Sequence, residues 1–126
     1  MLINSEKTHE HAKVFYDARY TKEGIMNSID KNIPSFEEHL NWYSKQNLKN
    51  MYLICNGKKY VGYIRISDKN YISISLYKNE CNKGYGTFAL TEIVSKYKNL
   101  KAIVKKDNIS SLKLFSKFPT IKVEIT

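Results

Sequence analysis

Three segments in the middle of the chain are rich in β-branched and aromatic residues, and short turn signals separate them. They read NMYLIC, KKYVGYIRIS and NYISISLY, with Asn56-Gly57 between the first two and Asp68-Lys69 between the last two. Asn-Gly is a strong signal for a hairpin, and two-residue connections join antiparallel strands. Residues 50 to 77 are therefore predicted to form a three-stranded meander, onto which the rest of the chain must pack.

Helical spacing of apolar residues precedes this meander. From His9 onward, apolar residues recur at intervals of three and four, at Ala12, Phe15, Tyr16 and Tyr20. Thr21 or Asn27 could begin a second short helix. Ser35 followed by Glu38 forms a capping box, and the helix that it begins carries a stripe of Phe36, Leu40 and Tyr43.

The segments after the meander alternate between helix and strand. Apolar spacing predicts a helix from Tyr85 to near Asn99, a strand in LKAIVKK, a helix from Ile109 that Pro119 ends, and a final strand from Ile121 to Thr126. The predicted fold class is α/β (α+β), with a central mixed, mostly antiparallel sheet and helices on both faces. At 126 residues, the chain has room for a single domain, residues 1–126.

Composition narrows the classes of partner. The formal net charge is +9, yet only Arg19 and Arg65 among the 21 basic residues are arginines, and the lysines are spread along the chain. This pattern is typical of a solvated lysine-rich surface and argues against nucleic acid, and a polyphosphate ligand of nucleotide size is the alternative. No apolar run could span a bilayer and no signal peptide is visible, so we expect a cytoplasmic protein with no membrane partner. Cys55 and Cys81 lack metal-site spacing, so free thiols and no metal are expected.

The stretch CNKGYGTFAL, residues 81 to 90, is the strongest candidate for a ligand-binding loop. A Walker loop is excluded because no Gly-Lys-Ser/Thr follows. The pattern Gly84-x-Gly86-x-x-Ala89, with Asp107 further on, fits a dinucleotide fingerprint, but that motif belongs to parallel βαβ units. A third interpretation is a diphosphate cradle of backbone amides at a helix N-terminus, with Lys83 and Lys78 at its rim. A plain strand-to-helix turn remains open.

The chain resembles the GNAT-type N-acetyltransferases over roughly residues 35 to 118. That family carries Gln/Arg-x-x-Gly-x-Gly/Ala between a central strand and a helix, and Cys81-x-x-Gly84-x-Gly86 matches it except at the first position. A later motif of Asn, a small residue three on and Tyr seven on is represented by Asn108, Ser111 and Phe115. The resemblance implies a GNAT-like acyl-CoA N-acyltransferase fold and acetyl-CoA as co-substrate.

The resemblance also implies a role for each matched residue. The backbone of residues 82 to 87 (Asn82, Lys83, Gly84, Tyr85, Gly86 and Thr87) would wrap the pyrophosphate. Leu76 and Tyr77 would lie beside the pantetheine arm, and the main-chain amide at Leu76 would polarise the thioester carbonyl. Asn108, Ser111 and Phe115 would lie near the thiol end.

The acceptor implied by the finer resemblance is the amine of a nucleotide-linked amino sugar. The SFEEHLNW helix, the segment from Arg19 to Thr21 and SLYKN are similar to acetyltransferases of that group. Arg19, Trp42, Tyr63 and Arg65 are candidates to bind this acceptor. The alternatives are an acetyltransferase acting on protein N-termini or lysines, and a non-catalytic acyl-CoA-binding or nucleic-acid-binding relic of the fold.

Three departures from the family bear on activity. Phe115 stands where the family has the tyrosine proposed to protonate the leaving thiolate. No acidic residue lies in YISISLY, so His39 is the candidate base, with Asp17, Glu37 and Glu38 behind it. One strand follows the last helix where the family has two, so the fold is C-terminally shortened. A homodimer partner could cover the substrate side of the sheet, or the acceptor pocket could be open.

Overall fold

A computed structural model describes residues 1–20 and 32–126 as a mixed α+β fold. In chain order the elements are β1 (Leu2–Asn4), α1 (His9–Arg19), α2 (Phe36–Ser44), β2 (Met51–Asn56), β3 (Lys59–Ile66), β4 (Ile72–Leu76), α3 (Tyr85–Lys96), β5 (Lys101–Val104), α4 (Ile109–Ser116) and β6 (Lys122–Ile125). The predicted helix beginning at Thr21 or Asn27 lies outside the described residues.

Two sheets form the framework. Strands β1, β2, β3 and β4 pair in that order and are antiparallel, which confirms the predicted meander. Strands β5 and β6 form a separate parallel pair, because α4 returns the chain to the same end before β6 begins. A single parallel bridge between Tyr71 and Lys101 connects the two sheets among the described residues.

Helices cover both faces of the four-stranded sheet, as predicted. Side chains alternate along β2, so Tyr52 and Ile54 join a core with α3 and α4, whereas Leu53 and Cys55 join a core with α1 and α2. The first core contains Leu90 and Ile93 of α3, both fully buried. This two-sided packing holds α1 and α3 on opposite sides of β4, and therefore on opposite sides of the space between β4 and β5.

The sequence signals locate most element boundaries. The capping box is present: Glu38 N–H donates to Ser35 Oγ and Ser35 N–H donates to Glu38 Oε1, both at 3.2 Å. The first hairpin turn lies at residues 57 and 58, one residue later than predicted, with Gly57 at a φ of 62°.

Four details differ from the predictions. The connection from β3 to β4 takes five residues rather than two, and Asn70 adopts a φ of 69° within it. Helix α3 ends at Lys96 rather than near Asn99, and α4 ends at Ser116, before Pro119. Strand β1 was not predicted, because three residues are too few to show a period. It is fixed by pairing with β2, a long-range contact.

Candidate functional site

A cleft opens where β4 and β5 diverge. The strands are joined at Tyr71 and Lys101, beside their N-terminal ends, and no further pairing joins them among the described residues. Toward their C-terminal ends lies a cavity of about 710 Å³, with walls from β4, β5, the N-terminus of α3 and α4. The α1 residues Ala18 and Arg19 also line this cavity.

The main chain of β4 presents hydrogen-bonding groups to this cleft. Tyr77 N–H donates to Val61 O at 2.9 Å, which makes Val61 and Tyr77 a hydrogen-bonded pair of the β3–β4 ladder. Bonded and non-bonded pairs alternate in an antiparallel ladder, so Ile74 and Leu76 direct their N–H and C=O groups away from β3. That side is the cleft. The Leu76 amide therefore has the orientation that the resemblance required of it, whereas the Tyr77 amide is bonded within the sheet.

The glycine loop ends at the N-terminus of α3, beside the cleft. Gly84 is the N-cap residue at a φ of 88°, and a Cβ there would meet nothing within 4 Å, so the residue is needed for its backbone angle. No side chain caps this helix, and its first turn contains no acidic residue. The first N–H groups of α3 therefore lack intrahelical and capping partners and can bind an anion.

Gly86 has a different role from Gly84. It is buried, and a Cβ there would lie 3.0 Å from Cδ2 of Leu114 on α4. The sequence interpretation attributed both glycines to the ligand's approach or to a disfavoured backbone angle. At Gly86 the structure gives another reason, because the missing side chain lets α4 pack closely on α3.

Helix α4 brings the later motif to the same cleft. Asn108 is the N-cap, and its Oδ1 accepts the Ser111 N–H at 3.3 Å, so the Asn-x-x-Ser spacing has a structural explanation. Phe115 lies on the next turn and is buried in the core. All three residues line the cleft, and the Phe115 ring offers no proton to a ligand there.

The structure brings ten of the predicted site residues together and leaves six aside. The cleft is lined by Arg19, Tyr63, Leu76, Asn82, Gly84, Gly86, Thr87, Asn108, Ser111 and Phe115. The residues that do not line it are His39, Trp42, Arg65, Tyr77, Lys83 and Tyr85. The Tyr77 ring packs with the α1–α2 core, and burial raises its pKa to about 12. The Tyr85 hydroxyl accepts a hydrogen bond from Asn56 Nδ2 at 2.8 Å.

His39 lies between α1 and α2 rather than in the cleft. Its ring is buried, and Nε2 lies 2.8 Å from Ala12 O, which makes Nε2 the protonated nitrogen. Burial lowers the pKa of the His39 imidazole, and the bond to Ala12 O opposes part of that shift. This placement corrects the expectation that His39 removes a proton from an amine, because the imidazole does not reach the cavity.

Arg19 and Arg65 lie on the same side of the sheet. Arg65 is opposite Ser73 on β4, and its guanidinium lies 5.4 Å from the centre of the Trp42 ring. Trp42 thus positions Arg65, and the centre of the Trp42 ring lies 5.6 Å from the centre of the His39 ring. Burial lowers the pKa of Arg65, and the positive charge of Arg19 lowers it further. The Nε of Arg19 is buried without a hydrogen-bond partner, and no carboxylate of residues 1–20 or 32–126 pairs with either guanidinium.

A buried carboxylate lies just before the glycine loop. Glu80 has a side chain only 4% exposed and pairs with Lys59 Nζ, while Lys83 Nζ lies 3.8 Å from its Oε2. The hydrogen bond from Lys59 lowers the pKa of the Glu80 carboxyl. This cluster holds the loop against the β2–β3 hairpin and draws Lys83 toward Glu80.

Several residues that line the cleft were not predicted as site residues. Ser73 and Ser75 extend from β4, Ile103 from β5, and Ser110 and Leu114 from α4, while Lys117 is the C-cap residue of α4. Lys117 Nζ donates to Thr87 Oγ1 at 3.4 Å. Period-2 spacing in β4 could have identified the two serines. Lys117 carries no local signal, because its position depends on the packing of α4 against α3.

Comparisons with known proteins identify no relative: no protein-family model, curated protein or solved structure matches the chain.

Within residues 1–20 and 32–126, no three His, Cys, Asp or Glu side chains are grouped as metal ligands. No helix in this part of the chain has the length and apolar character to cross a membrane. Cys55 is buried and Cys81 is exposed.

Proposed function

We propose that this chain is an acetyl-CoA-dependent N-acetyltransferase with a GNAT-type fold, which transfers an acetyl group directly to a primary amine. The observation that carries the proposal is the divergence of β4 and β5 beside the glycine loop. It combines an exposed edge of main-chain amides with an uncapped helix N-terminus in one cavity. Coenzyme A has the complementary parts, since its pantetheine arm carries amides and its nucleotide end carries a pyrophosphate.

The residues present fit this co-substrate at both ends. The Leu76 N–H points into the cleft and would donate to the carbonyl oxygen on which negative charge develops during acyl transfer. At the other end, the first amides of α3 and the Gly84 turn would hold phosphate oxygens. When bound, acetyl-CoA supplies an activated acetyl thioester, and the chain aligns it with the amine.

Two protons must be accounted for in this reaction. The attacking amine loses one, and the departing thiolate gains one. A thiol pKa near 8.5 means that releasing a free thiolate at pH 7 costs only about 2 kcal/mol relative to the protonated product. Among the described residues lining the cavity there is no carboxylate or imidazole, so solvent is the proposed carrier of both protons.

The proposed acceptor is the amine of a nucleotide-linked amino sugar. Arg19 lines the cavity and Arg65 lies beside it, and no described carboxylate neutralises them. Two guanidinium groups on one side of a cleft favour an anionic acceptor such as a phosphate ester. A lysine-rich protein segment would be repelled by the same charges, which makes a protein acceptor the weaker proposal.

A non-catalytic acyl-CoA-binding module is the second candidate. Phe115 supports it, because it lines the cleft and stands at the motif position where the resemblance implies a proton-donating tyrosine. Both candidates predict that coenzyme A binds. They differ in turnover, which can be measured as release of free thiol when acetyl-CoA is mixed with amines.

The decisive experiment is calorimetric titration of the protein with acetyl-CoA and coenzyme A, using two charge variants. Thr87→Glu places a carboxylate in the first turn of α3, where it suits the helix dipole but repels phosphate. Ser95→Glu adds the same charge to an exposed position about 12 Å further along the helix. We expect micromolar binding that Thr87→Glu abolishes and Ser95→Glu preserves. Absence of binding to the unmodified chain would refute both candidates.

A further inference from the structure

The cation expected at the glycine loop is turned away from the cleft. Lys83 lies within the loop sequence, but its Nζ is 3.8 Å from the buried Glu80 carboxylate, and the residue does not line the cavity. Glu80 also binds Lys59, so the three charges form one cluster on the hairpin side of the loop. A phosphate group in the cleft would have to compete with Glu80 for Lys83.

Lys117 lines the cleft, as Lys78 also does, whereas Lys83 does not. The Lys117 Nζ donates to Thr87 Oγ1 at 3.4 Å, and both residues line the cavity. Thr87 is the third residue of α3, within the turn whose N–H groups are uncapped. No carboxylate in residues 1–20 or 32–126 pairs with Lys117.

The packing of α4 on α3 explains why a residue so distant in sequence arrives here. Gly86 leaves room for Leu114, whose Cδ2 would lie 3.0 Å from an added Cβ. Lys117 is three residues after Leu114, and Thr87 is one residue after Gly86. The close contact between Gly86 and Leu114 therefore brings Lys117 next to Thr87. The same glycine that permits helix packing therefore determines where this ammonium group lies.

We propose that Lys117, and not Lys83, is the residue that neutralises a phosphate group of the ligand in this cleft. The inference rests on the proposed function for the identity of the ligand, coenzyme A. That molecule offers two sources of the same chemistry, its pyrophosphate and its 3′-phosphate. Because Lys117 lies beside the first turn of α3, either phosphate group could contact both its ammonium group and the uncapped N–H groups of that turn.

The test compares matched lysine variants by calorimetry with coenzyme A. Lys117→Gln and Lys83→Gln each remove one charge from an exposed side chain, and Lys117→Arg keeps the charge. We expect Lys117→Gln to weaken binding about tenfold, as loss of a charge-assisted bond would, with Lys117→Arg near the unmodified affinity. Lys83→Gln should change affinity less than about twofold, as an exposed charge does. The inference is overturned if Lys83→Gln causes the larger loss or if Lys117→Gln has no effect.

Two further ligands distinguish the pyrophosphate from the 3′-phosphate and test Lys117 independently of the proposed function. A Lys117→Gln defect that persists with dephospho-coenzyme A assigns the lysine to the pyrophosphate, and one that disappears assigns it to the 3′-phosphate. Inorganic pyrophosphate tests the lysine without the transferase proposal. If coenzyme A does not bind but pyrophosphate binds through Lys117, the proposed function fails and the phosphate role stands. If neither binds, both are overturned.

Discussion

At the scale of single residues, burial decides what His39 can do. A histidine on the helix beside a presumed acceptor site suggests a base, because its ordinary pKa lies near neutrality. The structure instead holds the ring between α1 and α2, with Nε2–H donated to Ala12 O. The imidazole thereby stabilises the contact between two helices, and the cleft receives no titratable nitrogen from it.

The first prediction concerns His39→Gln, whose amide can still donate to Ala12 O. Activity should stay within a few-fold of the unmodified protein, and the free energy of unfolding at pH 8 should fall by about 1 kcal/mol. The folded-state pKa of His39 lies below the unfolded value of 6.5, so its contribution is present above pH 6.5 and is lost as pH falls through the folded-state pKa. Urea unfolding between pH 5 and 8 should thus show a weaker pH dependence in the variant.

A matched control is His9→Gln, which alters an exposed histidine at the start of α1. As an exposed substitution, it should change the free energy of unfolding at pH 8 by less than about 0.5 kcal/mol. A loss of acetyl transfer of a hundredfold or more in a folded His39→Gln protein would restore the general-base hypothesis.

At the scale of elements, the pairing of β3 with β4 positions the edge that faces the cleft. Gly62 is opposite Leu76, and a Cβ there would clash with Ser75 O and lie 2.8 Å from Leu76 Cα. Both are backbone atoms, so no side-chain rotation can relieve the contact. The glycine thus lets β4 approach β3 at the residue whose amide points into the cavity.

The second prediction compares Gly62→Ala with Gly57→Ala in urea unfolding. Gly62→Ala should lower the free energy of unfolding by roughly 2–3 kcal/mol, because the strands must separate. Gly57→Ala meets nothing within 4 Å and should cost about 1 kcal/mol, for its φ of 62° alone. The two variants should also differ in acetyl-CoA affinity, which only Gly62→Ala should reduce. Equal effects on both measurements would show that the β3–β4 approach does not position Leu76.

Local signals were sufficient to predict most elements but not the placement of their side chains. Short-range signals can be identified in a single sequence because each involves residues only a few positions apart. The examples here are the capping box at Ser35, the Asn-Gly turn and the apolar spacing of α3. The direction of Lys83 depends on Glu80 and, through it, on Lys59, which is 24 residues earlier in the chain. The neighbours of His39 and Lys117 are likewise set by helix packing, which a single sequence does not specify.

At the scale of the whole molecule, the two sheets formed by residues 1–20 and 32–126 meet at one bridge and then separate. The parallel pairing of β5 with β6 was not predicted, although its strands were, because it depends on how α4 returns the chain. Lys101 N–H donates to Asn70 O at the closed end. Ile103 is the next residue of β5 whose N–H points toward β4. Its amide faces β4 across the cleft without a described partner.

The third prediction follows from the lack of pairing between β4 and β5 along the cleft, and it is measured by amide hydrogen exchange. Leu76 and Ile103 N–H groups should exchange rapidly in the free protein, while Ser75 N–H, directed at β3, should be protected. Saturating acetyl-CoA should slow exchange at Leu76 by tenfold or more, because the thioester carbonyl oxygen would accept the Leu76 N–H. Ligand at a hundred times its Kd also stabilises the whole fold by about 2.7 kcal/mol, so Ser75 serves as the reference for that general effect. If Leu76 and Ile103 are already protected as well as Ser75 without ligand, β4 and β5 are paired in solution, and the cleft that carries the proposed function does not exist there.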